Sequence, residues 1–242
     1  MSFGFSRRFF CSVPKILGDA DRNEDAFKWS PERSAVALSD GASESFDSRS
    51  WARILVRLFV LKPVLSKARL DLAIAAFTRR HDPESMSWSR QSAFDRGSFA
   101  TLLGLVVSPN HDQARVVAIG DTAAMLLDGN RLVATLPYTD PEDFKRRPTL
   151  LSTRREFNSF LDLPDNPGAS TAVWQLDQLA QPRIVCMTDA IAEWFLRRAQ
   201  EDPDAGELLC GLSDIADLET LVTDERQAGR MQVDDSTLLI LE

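Results

Sequence analysis

The chain of 242 residues is poor in the side chains that bind soft metals or form disulfides, with three cysteines and two histidines. Cys11, Cys186 and Cys210 are far apart and form no CxxC pair, so we expect neither a disulfide framework nor a zinc knuckle. His81 and His111 lie in polar segments next to prolines, which predicts surface positions. Zinc chemistry and nucleophilic Ser-His or Cys-His chemistry therefore have few residues to draw on.

The sequence also lacks an excess of basic charge and any long apolar run. Its net charge of -8 and pI near 4.9 argue against nucleic acid or an anionic membrane surface as a partner and favour a cation. No apolar stretch approaches the roughly 20 residues that span a bilayer. Residues 6–10 are similar to a twin-arginine export signal, but charged residues follow them instead of an apolar segment. We expect a cytoplasmic protein without a membrane partner; its oligomeric state is not indicated.

The hydrophobic pattern predicts strands at both ends of the chain and helices in two blocks. The predicted strands cover residues 9–16, 35–38, 99–107, 115–119, 123–127, 132–136, 171–176, 183–187 and 236–241. The predicted helices cover residues 50–61, a run carrying Leu70, Ile74 and Phe77, a stretch ending at Ser92, and residues 191–200 and 207–221. Short turns within residues 99–136 predict antiparallel neighbours, and residues 137–170 predict a long surface excursion. We expect one domain over residues 1–242.

Carboxylates recur at the tips of the apolar strands. They are Asp25 before AFKW, Asp40 after AVALS, Asp121 after VVAI, Asp189 after RIVCMT, and Asp234 with Asp235 before STLLILE. Any one of them is explained as a cap or turn residue. If the strands share a sandwich, however, several tips meet at one edge, where two carboxylates about 4 Å apart repel by about 4 kcal/mol at an effective dielectric of about 20. A cation must offset this repulsion, and oxygen ligands without His or Cys suit Mg²⁺ or Mn²⁺.

Six short motifs containing these acids follow one another along nearly the whole chain. They are NEDAF at 23–27, LSDGAS at 38–43, DRGSFAT at 95–101, IGDTAAML at 119–126, MTDA at 187–190 and DDST at 234–237. Each motif is weak alone, but the ordered set resembles the metal-dependent protein phosphatases of type 2C. The resemblance implies an α+β fold, a four-layer α-β-β-α sandwich with two central antiparallel sheets between helices. It also implies hydrolysis of phosphoserine or phosphothreonine on protein substrates, opposing a Ser/Thr kinase, by a water that two Mg²⁺ or Mn²⁺ ions activate.

The resemblance also implies a role for each matching residue. It assigns metal contacts to Glu24, Asp25, Asp40, Gly41, Asp95, Asp189 and Asp234. Asp40 would bridge both ions, Gly41 would offer its carbonyl to the second, and Asp189 and Asp234 would complete the shell of the first. Glu24 and Asp25 would hold the waters of the second ion and the nucleophile, so Asp25 and Asp40 are the expected catalytic carboxylates. Asp95 would recruit a third ion, and Asp121 would fix a hairpin turn.

Three positions depart from the family pattern. Many relatives bind phosphate through an arginine where this chain has Ala20; Arg22 is the nearest substitute, with Lys15 and Arg96 as alternatives. Ala42 replaces a histidine of some relatives, so protonation of the leaving group would fall to a water. The usual TDG is Thr188-Asp189-Ala190, which is tolerated only if the third position does not need a positive φ.

Other functions stay open beside the enzyme. A phosphatase-fold binding or regulatory module without turnover is the main alternative, although a decaying site would be expected to lose an acid, since unpaired carboxylates are costly. An aspartyl-phosphate phosphatase would need a DxD motif, and Asp19-Ala20-Asp21 follows a glycine instead of a strand. Neither GxGxxG nor GxxxxGK occurs, so nucleotide binding has no support. The basic residues within 137–170, among them Arg146 and Arg147, are candidate contacts to phosphorylated partners, though a solvated face explains most of them.

Overall fold

Two five-stranded antiparallel sheets form the centre of the molecule. The computed structural model describes residues 5–163 and 168–242, so residues 164–167 of the predicted excursion lie outside the described part. Numbered along the chain, the first sheet has the spatial order β1 (Arg7–Val13), β12 (Ser236–Leu241), β11 (Pro182–Met187), β7 (Ala123–Asp128) and β8 (Arg131–Leu136). The second has the order β10 (Ser170–Gln175), β6 (Gln113–Ile119), β5 (Leu102–Val107), β3 (Ala35–Ser39) and β2 (Ala26–Ser30). A small separate sheet pairs β4 (Phe99–Ala100) with β9 (Leu151–Ser152).

Helices cover the outer face of each sheet. They are α1 (Ser48–Leu61), α2 (Lys67–Thr78), α3 (Trp88–Arg96), α4 (Asp189–Glu201), α5 (Gly206–Cys210) and α6 (Ile215–Gln227). Short 3-10 helices lie at Ala20–Arg22, Pro31–Arg33, Pro83–Ser85, Pro141–Lys145 and Arg155–Asp162. Helix α1 packs on β2, β3 and β5 of the second sheet, whereas α4 and α6 pack on β12 and β1 of the first. The expected four-layer α-β-β-α sandwich is confirmed.

The alternation of side chains along each strand explains why the central strands are apolar throughout. In β12, Leu238 and Ile240 pack with Trp194 and Val222 of the outer helices. Leu239 and Leu241 point the other way, into the core between the two sheets. Successive Cβ atoms of a strand lie on opposite faces, so a strand covered on both sides needs apolar residues at every position.

Two predicted elements are divided in the structure, and one predicted turn has a different topology. The strand expected over residues 99–107 is interrupted at Thr101, and the helix expected over 207–221 is two helices, because Asp214 begins α6 with a reciprocal capping box to Asp217. The expectation of antiparallel neighbours holds for β5 with β6 and for β7 with β8. It is wrong for β6 and β7, since the turn containing Asp121 crosses from the second sheet to the first and forms no hairpin.

The structure also tests the predictions made for the cysteines and for His81. The three cysteines are buried and unpaired, as expected. The surface position predicted for His81 is wrong, since its side chain is 9% exposed and packs among Phe46, Phe77 and Phe94. In the described part of the chain, no helix combines the length and apolarity needed to cross a bilayer.

Candidate metal centre

Strand register brings the predicted acids to one end of the sandwich. In the second sheet, the start of β2 lies opposite the end of β3, with Ala26 paired to Ser39, so the preceding Asp25 and the following Asp40 are neighbours. In the first sheet, Met187 at the end of β11 lies beside Leu238 near the start of β12 and Ala123 at the start of β7. The acids flanking these strands come from residues more than two hundred positions apart, and the antiparallel pairing places them at the same edge.

The carboxylates at this edge raise one another's pKa values, which places them within range of one another's charge. Burial, followed by the charges of Asp25, Asp189, Asp121 and Asp234, raises the pKa of Asp40 well above its ordinary value. Burial, followed by Asp121 and Asp234, raises the pKa of Asp189 to about 7. Burial raises the pKa of Asp121 to about 6, with Asp234 adding to the effect. Five acids therefore form one group, which we call the acidic cluster: Asp25, Asp40, Asp121, Asp189 and Asp234.

Asp25 is held by hydroxyls from the first sheet, although it leads into the second. Its Oδ2 accepts hydrogen bonds from Thr237 Oγ1 at 2.5 Å and Thr188 Oγ1 at 3.1 Å. Ser12 Oγ lies 2.7 Å from Thr237 Oγ1 and accepts from Asn23 Nδ2, while Asn23 Oδ1 accepts the backbone N–H of Asp25. The second carboxylate oxygen, Oδ1, is buried and has no hydrogen-bond partner among the described residues. Asp25 thus has one fixed oxygen and one left free for a further partner.

A threonine pair performs the same positioning for Asp40. Thr101 Oγ1 accepts the backbone N–H of Asp40 at 2.8 Å, and the Thr101 N–H donates to the Asp40 carbonyl at 2.9 Å. Thr101 Oγ1 also lies 2.5 Å from Thr122 Oγ1, next to Asp121 in the chain. Both threonines are buried, so the peptide carrying Asp40 is fixed from β5 and from the turn between the sheets.

Asp235, which sequence reasoning set aside in favour of Asp234, has a clear structural task. It is 3% exposed, and its carboxylate accepts the backbone N–H groups of Lys15 at 2.8 Å and Glu24 at 2.7 Å. Asp235 therefore ties the segment before β2 to the start of β12. Such an anchor positions the Glu24-Asp25 pair beside the acidic cluster.

Glu24 and Gly41 meet at the N-terminal end of α1. The Glu24 carboxylate accepts hydrogen bonds from Ser43 and Ser48 and lies 3.3 Å from Lys15 Nζ. Gly41 is buried against the same helix turn, where a Cβ atom would lie 2.9 Å from the backbone carbonyl carbon and oxygen of Ser48. The glycine is thus required by the close approach of α1 to the peptide that follows Asp40.

Comparison with known proteins agrees with this arrangement. The sequence profile described as protein phosphatase 2C matches residues 17–220. The chain belongs to this family. A search of curated protein sequences found no significant match.

Solved structures of the phosphatase 2C fold superimpose along the whole chain at low sequence identity. One is PppA, described as a key regulatory component of T6SS in Pseudomonas aeruginosa, with 20% identity and a TM-score of 0.54, covering 98% of both chains. Another is the catalytic domain of the serine/threonine protein phosphatase PstP with two manganese ions, with 14% identity and a TM-score of 0.55, covering 99% of this chain and 97% of that one. The photosystem II phosphatase PBCP has 14% identity and a TM-score of 0.56, covering 99% and 98%.

Two residues expected at the phosphatase 2C site are exposed and, within the described residues, do not contact the cluster. Arg22 forms an ion pair with Asp19 at 3.0 Å, and its side chain is 71% exposed. Asp95 is exposed in the last turn of α3. Among the contacts of the described residues, none joins either side chain to the acidic cluster. The DxD aspartates also lie outside it, at the 3-10 helix Ala20–Arg22.

The replacement of the family glycine by Ala190 is structurally accommodated. Ala190 is the second residue of α4 and lies in regular helix, so no positive φ is required there. Its backbone N–H donates to Asp189 Oδ1 at 2.7 Å. The alanine therefore keeps the hydrogen bond that orients the Asp189 carboxylate.

The chemistry of the donor set fits hard cations such as Mg²⁺ and Mn²⁺. Over residues 5–163 and 168–242, no three His, Cys, Asp or Glu side chains are grouped closely enough to chelate one ion as they stand. The acidic cluster nevertheless offers only carboxylate oxygens, as Mg²⁺ and Mn²⁺ prefer, and leaves Asp25 Oδ1 buried without a partner. A buried carboxylate oxygen without a partner is costly, and a bound cation or its water would satisfy it.

Proposed function

We propose that the chain is a single catalytic domain, residues 1–242, that acts as a metal-dependent protein serine/threonine phosphatase. Its substrates would be phosphoserine or phosphothreonine in proteins modified by a Ser/Thr kinase. The observation that carries the proposal is the strand pairing that brings the five carboxylates of the acidic cluster to one end of the sandwich. We also propose a cytoplasmic location, which the three unpaired thiols support.

Residues of the cluster would hold two Mg²⁺ or Mn²⁺ ions. Asp40 would contact both ions, with the Gly41 carbonyl and Glu24 on one side and Asp189 and Asp234 on the other. The manganese ions of the PstP catalytic domain support this choice of metal. The contact between Asp95 and a third ion stays a prediction.

The chain's own groups would orient the reactants. Mg²⁺ or Mn²⁺, when bound, supplies a lowered pKa for water and positive charge opposite the phosphoryl group. Thr237 and Thr188 fix Asp25 Oδ2, so Asp25 Oδ1 is the atom available to accept a hydrogen bond from the attacking water. Ser43 and Ser48 fix Glu24 in the same way. Of the predicted catalytic residues, Asp25 and Asp40 are thus supported by their surroundings, and Arg22 would have to leave Asp19 to take part.

The test is hydrolysis of p-nitrophenyl phosphate with and without Mn²⁺. We expect turnover that chelator abolishes and that Mn²⁺ or Mg²⁺ restores, and we expect none in Asp40→Asn. Asp21→Asn is the matched control, since its side chain is fully exposed and lies outside the acidic cluster. Normal activity in Asp40→Asn, or restoration by zinc alone, would contradict the mechanism.

A regulatory module without turnover is the second candidate. It is favoured by the absence, within the described residues, of a ready-made group of three chelating side chains and by Ala20 and Ala42 at positions where relatives carry an arginine and a histidine. A well-folded protein that binds Mn²⁺ and hydrolyses neither p-nitrophenyl phosphate nor phosphopeptides would establish this candidate instead.

A further inference from the structure

A cleft of about 490 Å³ opens beside the acidic cluster. Asp234 belongs to its wall, together with the segment after Gly41, which contributes Ala42 and Ser43. The remaining wall includes Arg96, Phe99 and Arg147. A volume of this size is typical of clefts that enclose drug-sized molecules, so the cleft has room for several peptide groups beside a phosphoryl group.

Two guanidinium groups in this cleft have no anionic partner among the residues that the structure describes. Within that part of the chain, Arg96, the last residue of α3, donates to the neutral hydroxyl of Ser92 at 3.1 Å and forms no ion pair. Arg147 follows the 3-10 helix Pro141–Lys145 and forms no ion pair or hydrogen bond among the described residues. Its neighbour Arg146 is paired with Asp143 at 2.9 Å. Arg147 is therefore a free cation in a protein whose net charge is -8.

Other cations next to the proposed metal ligands have partners. Lys15 Nζ lies 3.3 Å from Glu24 and donates to Ser43, and Arg226 donates to the backbone carbonyl of Asp234 and to Ser236 Oγ. Arg90 adds positive charge near the rim, because its guanidinium lies 5.6 Å from the ring centre of Phe46, which lines the cleft. Glu44 is the opposing charge on the cleft wall outside the acidic cluster.

Arg96 and Arg147 line the same cleft as Asp234, so the two arginines lie beside the proposed metal ligands without belonging to them. A substrate chain leaving the cluster along this cleft would meet both groups within a few residues of the phosphorylated one.

We propose that Arg96 and Arg147 are specificity-determining residues that bind acidic side chains flanking the phosphorylated residue, so that the substrates are acidic phosphopeptide segments. The inference rests on the proposed phosphatase function. Guanidinium groups match carboxylates with two parallel hydrogen bonds, and such charge-assisted contacts are stronger than neutral ones.

The test compares two phosphothreonine peptides that differ only in having aspartate or asparagine at the positions around the phosphorylated residue. Wild-type protein should hydrolyse the acidic peptide with the higher kcat/KM. Arg96→Gln with Arg147→Gln should lower kcat/KM for the acidic peptide on the order of tenfold, mainly through KM. Hydrolysis of p-nitrophenyl phosphate by Arg147→Gln alone should stay within about twofold, because that substrate has no flanking residues. Arg146→Gln is the matched control and should behave as the wild type.

Binding of the same peptides without phosphate, followed by fluorescence anisotropy in Mn²⁺, is a readout independent of turnover. Wild-type protein should bind the acidic peptide more tightly than the asparagine peptide, and the double variant should lose this difference. Equal treatment of both peptides by the wild type would overturn the inference. A parallel rise of KM for p-nitrophenyl phosphate would also overturn it, since the arginines would then hold the phosphoryl group itself. If no substrate is hydrolysed but arginine-dependent peptide binding persists, the proposed function fails while peptide recognition stands.

Discussion

Two acids of the cluster, Asp25 and Asp40, are held by hydroxyl groups that include threonines next to other acids in the sequence. Thr188 precedes Asp189 and binds Asp25, and Thr122 follows Asp121 and contacts Thr101, which holds Asp40. Carboxylates in a tight group repel, so their positions must be fixed by hydrogen bonds to groups that tolerate burial. The hydroxyl groups form these hydrogen bonds without adding charge.

Thr237→Val tests this dependence with almost no change of shape. The variant removes the 2.5 Å hydrogen bond to Asp25 Oδ2 and leaves the backbone pairing of β12 intact. We expect a loss of about 1–3 kcal/mol in the free energy of unfolding, because a buried carboxylate loses a donor. Urea denaturation measures it. Thr171→Val, at an exposed position of the edge strand β10, should change stability by less than about 0.5 kcal/mol; equal effects of the two substitutions would refute the role of Thr237.

Gly41→Ala tests the close approach of α1. The added methyl group would lie 2.9 Å from backbone atoms of Ser48, which cannot move without displacing the start of the helix. Overpacking of this kind costs about 1–3 kcal/mol. We expect a lower melting temperature and, since Ser48 also holds Glu24, weaker Mn²⁺ binding by calorimetry. A variant as stable as the wild type would show that the helix end is free to shift.

For single residues, the sequence predicts the acids of the cluster but not the hydroxyl groups that hold them. Carboxylates at strand tips are visible as breaks in apolar runs, so Asp25, Asp40, Asp121, Asp189 and Asp234 were found. Thr101 and Thr237 were missed because a threonine in a strand is ordinary by composition. A signal was nevertheless present, since five of the six motifs place a serine or threonine within a few residues of the acid. Only the tertiary contact distinguishes a supporting hydroxyl from a surface one.

Among the elements, α6 is attached to α4 by a charge network around Glu225. The Glu225 carboxylate is 7% exposed and accepts hydrogen bonds from Arg230 at 2.7 and 2.8 Å and from Trp194 Nε1 at 2.8 Å. The hydrogen bonds from Arg230, followed by that from Trp194, lower the pKa of Glu225 from 4.5 to about 2. The ionised form is therefore the one that stabilises the packing of these helices.

Glu225→Gln should remove that stabilisation in a pH-dependent manner. A folded pKa below the unfolded one means that the contribution is fully present above about pH 4.5 and is lost as the pH falls through about 2. The shift corresponds to at most about 3 kcal/mol. Urea denaturation at pH 7 and pH 3 should show a difference between wild type and variant that is smaller at pH 3. Glu219→Gln, exposed on the same helix, is the control and should show little difference at either pH.

The ends of helices and strands were predictable where local sequence signals mark them. They were not predictable where tertiary contacts determine the position of the end. Strand β12 was predicted at residues 236–241, where the structure has it, because its apolar run is bounded by acids and the chain end. The break at Thr101 depends on hydrogen bonds to Asp40, sixty-one residues away in sequence. The Asp121 turn crosses from one sheet to the other, although a turn of this length would also permit a hairpin. Tertiary packing therefore decides its path.

In the whole molecule, the packed apolar layers and the acidic cluster have opposite effects on the free energy of unfolding. The three apolar layers stabilise the sandwich, whereas the edge where both sheets meet gathers five carboxylates that repel one another. The layered fold was predictable from the ordered motifs. A phosphate-binding residue was not predictable in the same way. Arg22, the expected candidate, forms an ion pair with Asp19, which the local 3-10 helix brings within reach.

Bound metal and the loss of an acid should therefore each stabilise the whole molecule, because each relieves the same repulsion among the carboxylates. Without metal, Asp40→Asn should be more stable than wild type by on the order of 1–2 kcal/mol, because it removes one carboxylate from the repelling group. With Mn²⁺ at about 100 times its dissociation constant, wild type should gain about 2.7 kcal/mol, which raises Tm by roughly 5–10 °C. Asp40→Asn should show little of this rise, whereas Asp21→Asn should keep it. Calorimetric scans with chelator and with Mn²⁺ measure all four quantities, and an Asp40→Asn variant that is less stable without metal yet still responds to Mn²⁺ would place the ions elsewhere.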